Sequence, residues 1–322
     1  MAPDGMHRES SPPAHPAEPS TLACPAGDAA RPAAPCLGGD CWILSGATAA
    51  GKTALALDLA RRLDAEIVSV DSMAVYQGLD IGTAKPSPSE RARVEHHVID
   101  VVPPSEPYSV ARWLADAAAA VETIRSRGRQ ILFVGGTPLY LRALRDGLAP
   151  LPADDPVFRR GLLEEIEVHG SAALHSRLAT IDPAAAARIH PNDVKRIVRA
   201  LEVSHATGRP LSDAFAPVPD PIFESRMMIV DLPRRLLIDR IDRRVDAMFA
   251  AGLIDEVRRA DASGGLGPTA RQAAGYAECL DLLAGRVPLA EAVRLTKQRT
   301  RQLAKRQLTW LRSFKGAVWI TA

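Results

Sequence analysis

The sequence predicts an α/β protein: a parallel sheet flanked by helices and interrupted by a mostly helical insertion. Two observations lead there. Six short apolar, β-branched runs alternate with longer stretches of helical spacing, the pattern of strands joined by helical crossovers. About ninety residues between the fourth and fifth runs then offer no convincing strand, while "RRGLLEEIEVHG" and "DPAAAARIHPNDVKRIVRALEV" within them carry helical periodicity.

The runs, in order, are "CWIL" (41–44), "EIVSV" (66–70), "HHVIDVV" (96–102), "QILFV" (130–134), "MMIVDL" (227–232) and "VWIT" (318–321). They divide the chain into a first part of the core at 41–150, a helical insertion at 151–223 opened by the linker "APLPADDP", and a completion of the core at 224–322 that ends in a basic helix. Residues 1–40 stand apart, with eight prolines and few aliphatic side chains to bury, a composition that predicts a disordered tail with no part in chemistry.

With 322 residues and 47% apolar content, the chain can fill the core of one large or two medium domains. No run approaches the roughly 18 uninterrupted apolar residues of a spanning helix, and no signal-peptide pattern opens the chain. We therefore expect a cytoplasmic protein without a membrane partner. Cys24, Cys36, Cys41 and Cys279 have neither zinc-site spacing nor disulfide density, so they read as free thiols. Beyond residue 40 the chain carries 38 basic and 33 acidic side chains, a mildly basic balance that by itself says little about nucleic acid.

After the first run comes "GATAAGKT" (46–53), which fits G-x-x-x-x-G-K-[ST]. This makes the core P-loop NTPase-like. The loop Gly46, Ala47, Thr48, Ala49, Ala50, Gly51 turns successive N–H groups toward an anion, Lys52 adds a point charge, and the Thr53 hydroxyl can ligate Mg²⁺. A helix follows, with Leu55, Leu59 and Leu63 on one face, and sets its N-terminus at the phosphate.

A motor ATPase would end a later strand in a carboxylate beside Mg²⁺. Here "ILFV" runs into Gly135, Gly136 and Thr137. The acid comes instead at the end of the second run: Asp71, followed by Ser72, at the carboxyl edge of the sheet where ligands of open α/β folds bind. Asp71 can accept a proton from a nucleophile, bind Mg²⁺ through water, or cap a turn. Gly135-Gly136-Thr137 orients a substrate group or makes a plain strand-to-helix turn. "GLDIGTAKP" (78–86) is a flexible cover over the site or an ordinary surface excursion.

Lys297 to Arg312, "KQRTRQLAKRQLTWLR", holds six basic residues and no acid. As a helix it buries Ala304, Leu308 and Leu311 and lines another side with Lys297, Arg301 and Lys305, a one-signed face suited to a polyanion. Lys195, Arg196 and Arg199 form a second basic group, and Arg240 and Arg244, four apart, can reach toward a diphosphate. His96 and His97 lack a third ligand at useful spacing and read as structural.

Taken in order, "GATAAGKT", "IVSVDSMAVYQGLDIGTAKP", "VGGTPLY", "ARIHPNDVKRIVRALEV", "RQAAGYAE" and "TRQLAKRQLTW" resemble the bacterial tRNA dimethylallyltransferase family, over essentially everything from Cys41 to Ile320. A nucleoside or small-molecule kinase, the rival reading, would share only the first motif. The resemblance implies that the loop, with Arg240, holds the diphosphate of dimethylallyl diphosphate with Mg²⁺. The acceptor it implies is the exocyclic amine of the adenosine 3′ to a tRNA anticodon. Asp71 would then be the general base, with Thr137 holding adenine or donor in line. By the same pattern the tRNA contacts fall on Asp71, Ser72, Met73, Ala74, Thr137, Arg159, Lys195, Arg196, Ile197, Val198 and Arg199, with the insertion gripping the anticodon stem-loop. Separately from the resemblance, we expect a monomer. Three positions depart from the family: Ala74 where Gln is common, Gln77 where Arg or Lys is common, and Ala47 where Pro is usual.

Overall fold

A computed structural model describes residues 39–149, 151–214, 223 and 225–321. The expected tail lies outside the described residues except for Gly39 and Asp40. Asp40 belongs to the folded body, since both of its carboxylate oxygens accept hydrogen bonds from Arg125, at 2.7 and 3.0 Å.

Six parallel strands form one sheet: β1 (Cys41–Gly46), β2 (Ala65–Ser69), β3 (His96–His97), β4 (Gln130–Gly135), β5 (Met227–Asp231) and β6 (Val318–Thr321), in the order β3-β2-β4-β1-β5-β6. The register pairs Ile43 with Phe133 and Met227, and Val68 with Phe133 and His97. Because side chains alternate across a strand, the four central strands β2, β4, β1 and β5 feed two cores. Ile43, Val68, Ile131, Phe133 and Ile229 face one; Leu44, Ile67, Leu132 and Val230 face the other.

On the first face lie α3 (Val110–Ser126) and α4 (Pro138–Asp146), the second of which begins directly after Thr137. Trp113 of α3 is fully buried, stacks on Tyr140 of α4, and donates its indole N–H to the carbonyl of Ser69 at 2.9 Å. The end of β2 is thereby fixed two residues before Asp71. On the second face lies α1 (Lys52–Leu63), whose most buried residues are Ala56, Leu57 and Ala60. The expected leucine stripe is displaced: Leu55, Leu59 and Leu63 flank that seam half-buried, because small side chains let the helix lie closer to the strands.

The third run differs from expectation. Only His96 and His97 pair with β2, and the chain then turns away, with Val98 and Asp100 in left-handed conformations. The short helix α2 (Pro88–Arg91) precedes it. His97 is used structurally, its Nε2 lying 2.7 Å from Glu66 Oε2.

Within the expected insertion, α5 (Pro156–His169), α6 (Ser171–Ile181), α7 (Pro183–Ala186) and α8 (Val194–Thr207) pack on a core of their own, centred on Leu162, Leu174, Leu178, Ile197 and Leu201. The chain returns through β5 into α9 (Arg234–Ala250), α10 (Leu253–Ala262), α11 (Tyr276–Leu283) and the 23-residue α12 (Leu289–Leu311). Helix α12 buries Ala304 in one core and Leu311 in the other, so it crosses the carboxyl edge of the sheet. No helix among the described residues is long and apolar enough to cross a membrane.

Candidate active site

Three glycines let the strand ends converge. A Cβ on Gly46, which has φ +152°, would lie 2.7 Å from the carbonyl oxygen of Val230, and one on Gly136 would lie 2.7 Å from that of Gly46. A Cβ on Gly135 would collide outright with the carbonyl of Val70. The close approach brings Lys52, Thr53, Asp71, Ala74 and Gly135 around one cavity of about 90 Å³, whose walls also include Ile67, Thr83, Ala84, Lys85, His96 and Ile99.

Lys52 is partly buried, and its ammonium rests on the loop's own carbonyls, 2.9 Å from Gly46 O and 2.7 Å from Ala47 O. Desolvation pushes its pKa down to about 8; the charge of Asp71 opposes the shift and that of Arg244 adds to it. The free loop thus holds a cation short of a counter-ion, which is the electrostatic condition for taking up an anion.

Not all of the loop's N–H groups point at that anion, contrary to the sequence reading. Thr48 N–H donates to the side-chain oxygen of Gln307 at 2.8 Å, and Ala50 N–H to the carbonyl of Ala47 at 3.2 Å, where Ala49 takes a left-handed φ of 63°. The amide of Gln307 also donates to the carbonyl of Gly136 at 2.8 Å. This side chain, 7% exposed on α12, straps the phosphate loop to the end of β4. Sequence reasoning missed it because its neighbours drew attention to charge; the available signal was a Gln on the buried stripe, three residues after Ala304 and four before Leu311.

Asp71 is anchored by one oxygen. Oδ1 accepts from Met73 N–H at 2.8 Å and, more weakly, from Ala74 N–H at 3.4 Å, so the turn-capping role and a chemical role coexist. Oδ2 has no protein partner among the described residues. Ser72 N–H donates to the Thr137 hydroxyl at 3.0 Å, which joins the residue after the acid to the start of α4. Ala74 is buried beside the cavity, while Gln77 turns outward and donates to the carbonyl of Asp100.

Arg240 of α9 approaches the loop from outside: its Nη1 lies 3.4 Å from Ala50 O and 3.3 Å from the position a Cβ would take on Gly51. Arg244, one turn further on, is half-buried, its pKa is lowered by desolvation, and no acid among the described residues pairs with it. With its electrostatic reach to Lys52, it is the stronger candidate of the two for an anion.

The residues expected to touch tRNA divide. Lys195 and Arg196 are exposed at the start of α8. Ile197 and Val198 point into the insertion's core, which removes their side chains from any contact with RNA. Arg159 and Arg199 both bind the buried carboxylate of Glu202 at 2.7 Å and also pair with Asp154, so they fasten the linker to α8. The basic face of α12 is likewise partly neutralised: Lys297 pairs with Asp246, Arg301 with Asp242 of α9, and Arg299 with Glu278. These acids lie fifty or more residues away in sequence or on another helix, so the charge run alone could not reveal them.

A family model described as IPP transferase matches residues 74–314, and one described as isopentenyl transferase matches residues 39–101. The chain belongs to the IPP transferase family. It is 50% identical over 286 residues to a tRNA dimethylallyltransferase of Halorhodospira halophila, covering 87% of this chain and 92% of that one. To one of Geobacter metallireducens it is 48% identical, with 86% and 91% covered. Among solved structures, the tRNA isopentenylpyrophosphate transferase of Bacillus halodurans superposes with TM-score 0.62 at 41% identity, covering 87% and 89%. A eukaryotic dimethylallyltransferase acting on tRNA gives 0.71 at 28% identity, covering 87% and 73%. These relatives favour a prenyltransferase over the kinase reading.

Two outcomes follow from this geometry. A bound diphosphate raises the pKa of Lys52 above its free value of about 8. Affinity for inorganic pyrophosphate or dimethylallyl diphosphate should therefore be insensitive to this group below that pH and weaken by up to about ten-fold per unit above it. Calorimetry in buffers of different ionisation enthalpy should show proton uptake on binding in the same range. Replacing Gln307 by Leu strands the Thr48 N–H and the Gly136 carbonyl. It should cost about 1–3 kcal/mol of stability in denaturant titrations and weaken pyrophosphate binding as the loop loses its strap.

Proposed function

We propose that the chain transfers the dimethylallyl group of dimethylallyl diphosphate to the exocyclic amine of the adenosine 3′ to the anticodon in tRNA, releasing diphosphate. The observation that carries this reading is the single cavity shared by Lys52, Thr53 and Asp71, set in a chain of the IPP transferase family.

The chemistry follows from the two substrates. An adenine amine is a weak nucleophile, whereas the allylic carbon tolerates positive charge, so the C–O bond to diphosphate lengthens as the N–C bond forms. Charge builds on the departing diphosphate. Lys52, the loop N–H groups that remain free, and Arg244 with Arg240 stand where they can neutralise it. The ammonium now resting on the carbonyls of Gly46 and Ala47 would turn to the anion. The amine proton goes to Asp71, whose Oδ2 is free while Oδ1 fixes its orientation. Thr137, beside Ser72, would hold a reacting group in line.

Mg²⁺ fits the donor set. No group of three His, Cys, Asp or Glu side chains able to hold a metal ion occurs among the described residues. An ion here would rest on the Thr53 hydroxyl, diphosphate oxygens and water, the coordination Mg²⁺ accepts because it dehydrates reluctantly. When bound it would supply charge to the leaving group.

For the tRNA, the exposed Lys195 and Arg196 offer phosphate contacts on the insertion, and the target base must leave its stack to reach the cavity.

Incubating the protein with Mg²⁺, dimethylallyl diphosphate and unmodified tRNA, then weighing the nucleosides, should show a five-carbon gain on adenosine; nucleotide-dependent phosphorylation of a hydroxyl compound instead would refute the reading. Asp71→Asn keeps an oxygen for the Met73 and Ala74 amides, so tRNA affinity should hold while kcat drops by about 10² to 10⁴, the range of a lost general base. Replacing Lys195 and Arg196 together by Ala should weaken tRNA binding and reduce the slope of log K against log salt by up to about 2. An unchanged slope in filter binding would place these two residues outside the RNA contact.

A further inference from the structure

The loop at 78–86 is no ordinary surface excursion: it lines the cavity and is bolted to the C-terminal half of the chain. Glu256 of α10 is 3% exposed, and its carboxylate accepts four hydrogen bonds from donors around one short segment. Oε2 takes Asp80 N–H at 2.8 Å and Ile81 N–H at 2.7 Å; Oε1 takes Gly82 N–H at 3.1 Å and the hydroxyl of Tyr276 at 2.7 Å. Tyr276, fully buried at the start of α11, lies so close that a Cβ on Gly82 would stand 2.7 Å from its ring carbon Cζ. A side chain at position 82 would force the buried ring of Tyr276 to shift.

At the other end, the side chain of Lys85 is 1% exposed; its ammonium pairs with Asp80 at 2.9 Å and also binds Asp100 and the carbonyl of Tyr76. Between the two anchors Ala84 is held at φ +52°, a left-handed conformation costing an alanine roughly 1 kcal/mol, which persists only where the surroundings impose it. Thr83, Ala84, Lys85 and Pro86, the residues so fixed, form one wall of the cavity that contains Lys52, Thr53 and Asp71.

We propose that Glu256, with Tyr276, is a positioning residue for the prenyl donor: it touches no substrate, and it sets the distance between the 83–86 wall and the phosphate loop. This inference rests on the prenyl-transfer reading for the identity of the donor. Its physical content is that charge-assisted bonds from three successive N–H groups to a buried carboxylate fix the wall before the donor arrives, so ordering of this loop is no part of the cost of binding.

The test uses the full chain and two variants. Glu256→Gln replaces one acceptor oxygen by an NH₂ group facing a backbone N–H, and so releases one side of the clamp. Tyr276→Phe removes one hydrogen bond and keeps the ring against Gly82. Amide hydrogen exchange should accelerate at 80–82 in Glu256→Gln, and the KM for dimethylallyl diphosphate should rise by about ten-fold or more, as a misplaced wall weakens donor placement. The tRNA Kd should stay within about two-fold, since the insertion is untouched. Tyr276→Phe should show the same split in smaller measure at near-native Tm, and it decides the matter alone if Glu256→Gln does not fold. Faster exchange at 80–82 with unchanged donor KM would overturn the proposal. So would parallel losses of donor and tRNA binding, because a merely structural role predicts both. A wild-type protein that prenylates no tRNA would refute the functional reading instead, while one that prenylates normally beside indifferent variants refutes only this inference.

Discussion

The active cavity depends on how closely backbone can approach backbone at the carboxyl edge of the sheet. Gly135 must lie against the carbonyl of Val70, Gly46 against that of Val230, and Gly136 against that of Gly46. Any side chain at these points would hold the strands apart at the one place where the phosphate loop, the acid after β2 and the hydroxyl after β4 must meet. A parallel sheet already sends successive strand ends to one edge. The glycines convert that shared edge into a shared cavity, and the ordering of Asp71 through its own turn amides then fixes a carboxylate oxygen toward it.

Much of this was legible because local patterns report local structure. Five of the six apolar runs became strands of one parallel sheet and the third contributed only His96 and His97, while the G-x-x-x-x-G-K-T spacing marked the turn between β1 and α1. Legibility failed where a side chain's partner lies far along the chain. Arg159 and Arg199 look like free cations in sequence, yet a buried Glu202 takes both. Lys297 and Arg301 look like an RNA-facing stripe, yet α9 supplies an aspartate to each. Ile197 and Val198 sit among basic neighbours but fall on the inner side of α8, as helical periodicity requires of residues one and two positions after Arg196. The third apolar run failed differently: Val98 and Asp100 turn left-handed so that Asp100 can receive Lys85 and Arg91, and tertiary ion pairing overrides strand propensity.

Charge in this protein is therefore arranged rather than merely plentiful. Most arginines outside the cavity have an acid at hand, and such surface pairs add little stability individually. Around the phosphate loop the balance reverses. Lys52 has no carboxylate bonded to it and rests on carbonyl oxygens, and the half-buried Arg244 has no acid among the described residues. Two desolvated cations are costly to hold: burial lowers the pKa of each, and the charge of Arg244 lowers that of Lys52 further while Asp71 offsets part of the shift. A diphosphate relieves that cost directly. On the prenyl-transfer reading proposed above, these unfavourable electrostatics would favour the leaving group, most strongly once the C–O bond has broken and the full anionic charge has developed.

The cradle is also less autonomous than its motif suggests. Thr48 is held by Gln307, 259 residues further along the chain, and Asp80, Ile81 and Gly82 by Glu256, about 175 residues further along. Closing such long loops carries an entropy cost that only the fully docked fold offsets. Neither the phosphate loop nor the 83–86 wall can hold its geometry until α10, α11 and α12 have packed across the sheet edge. The N-terminal half thus brings Lys52, Thr53 and Asp71 to the cavity, while the C-terminal half brings Arg240 and Arg244 to the phosphate loop and supplies the clamps that hold the spacing. A site divided in this way acquires its geometry only in the complete fold.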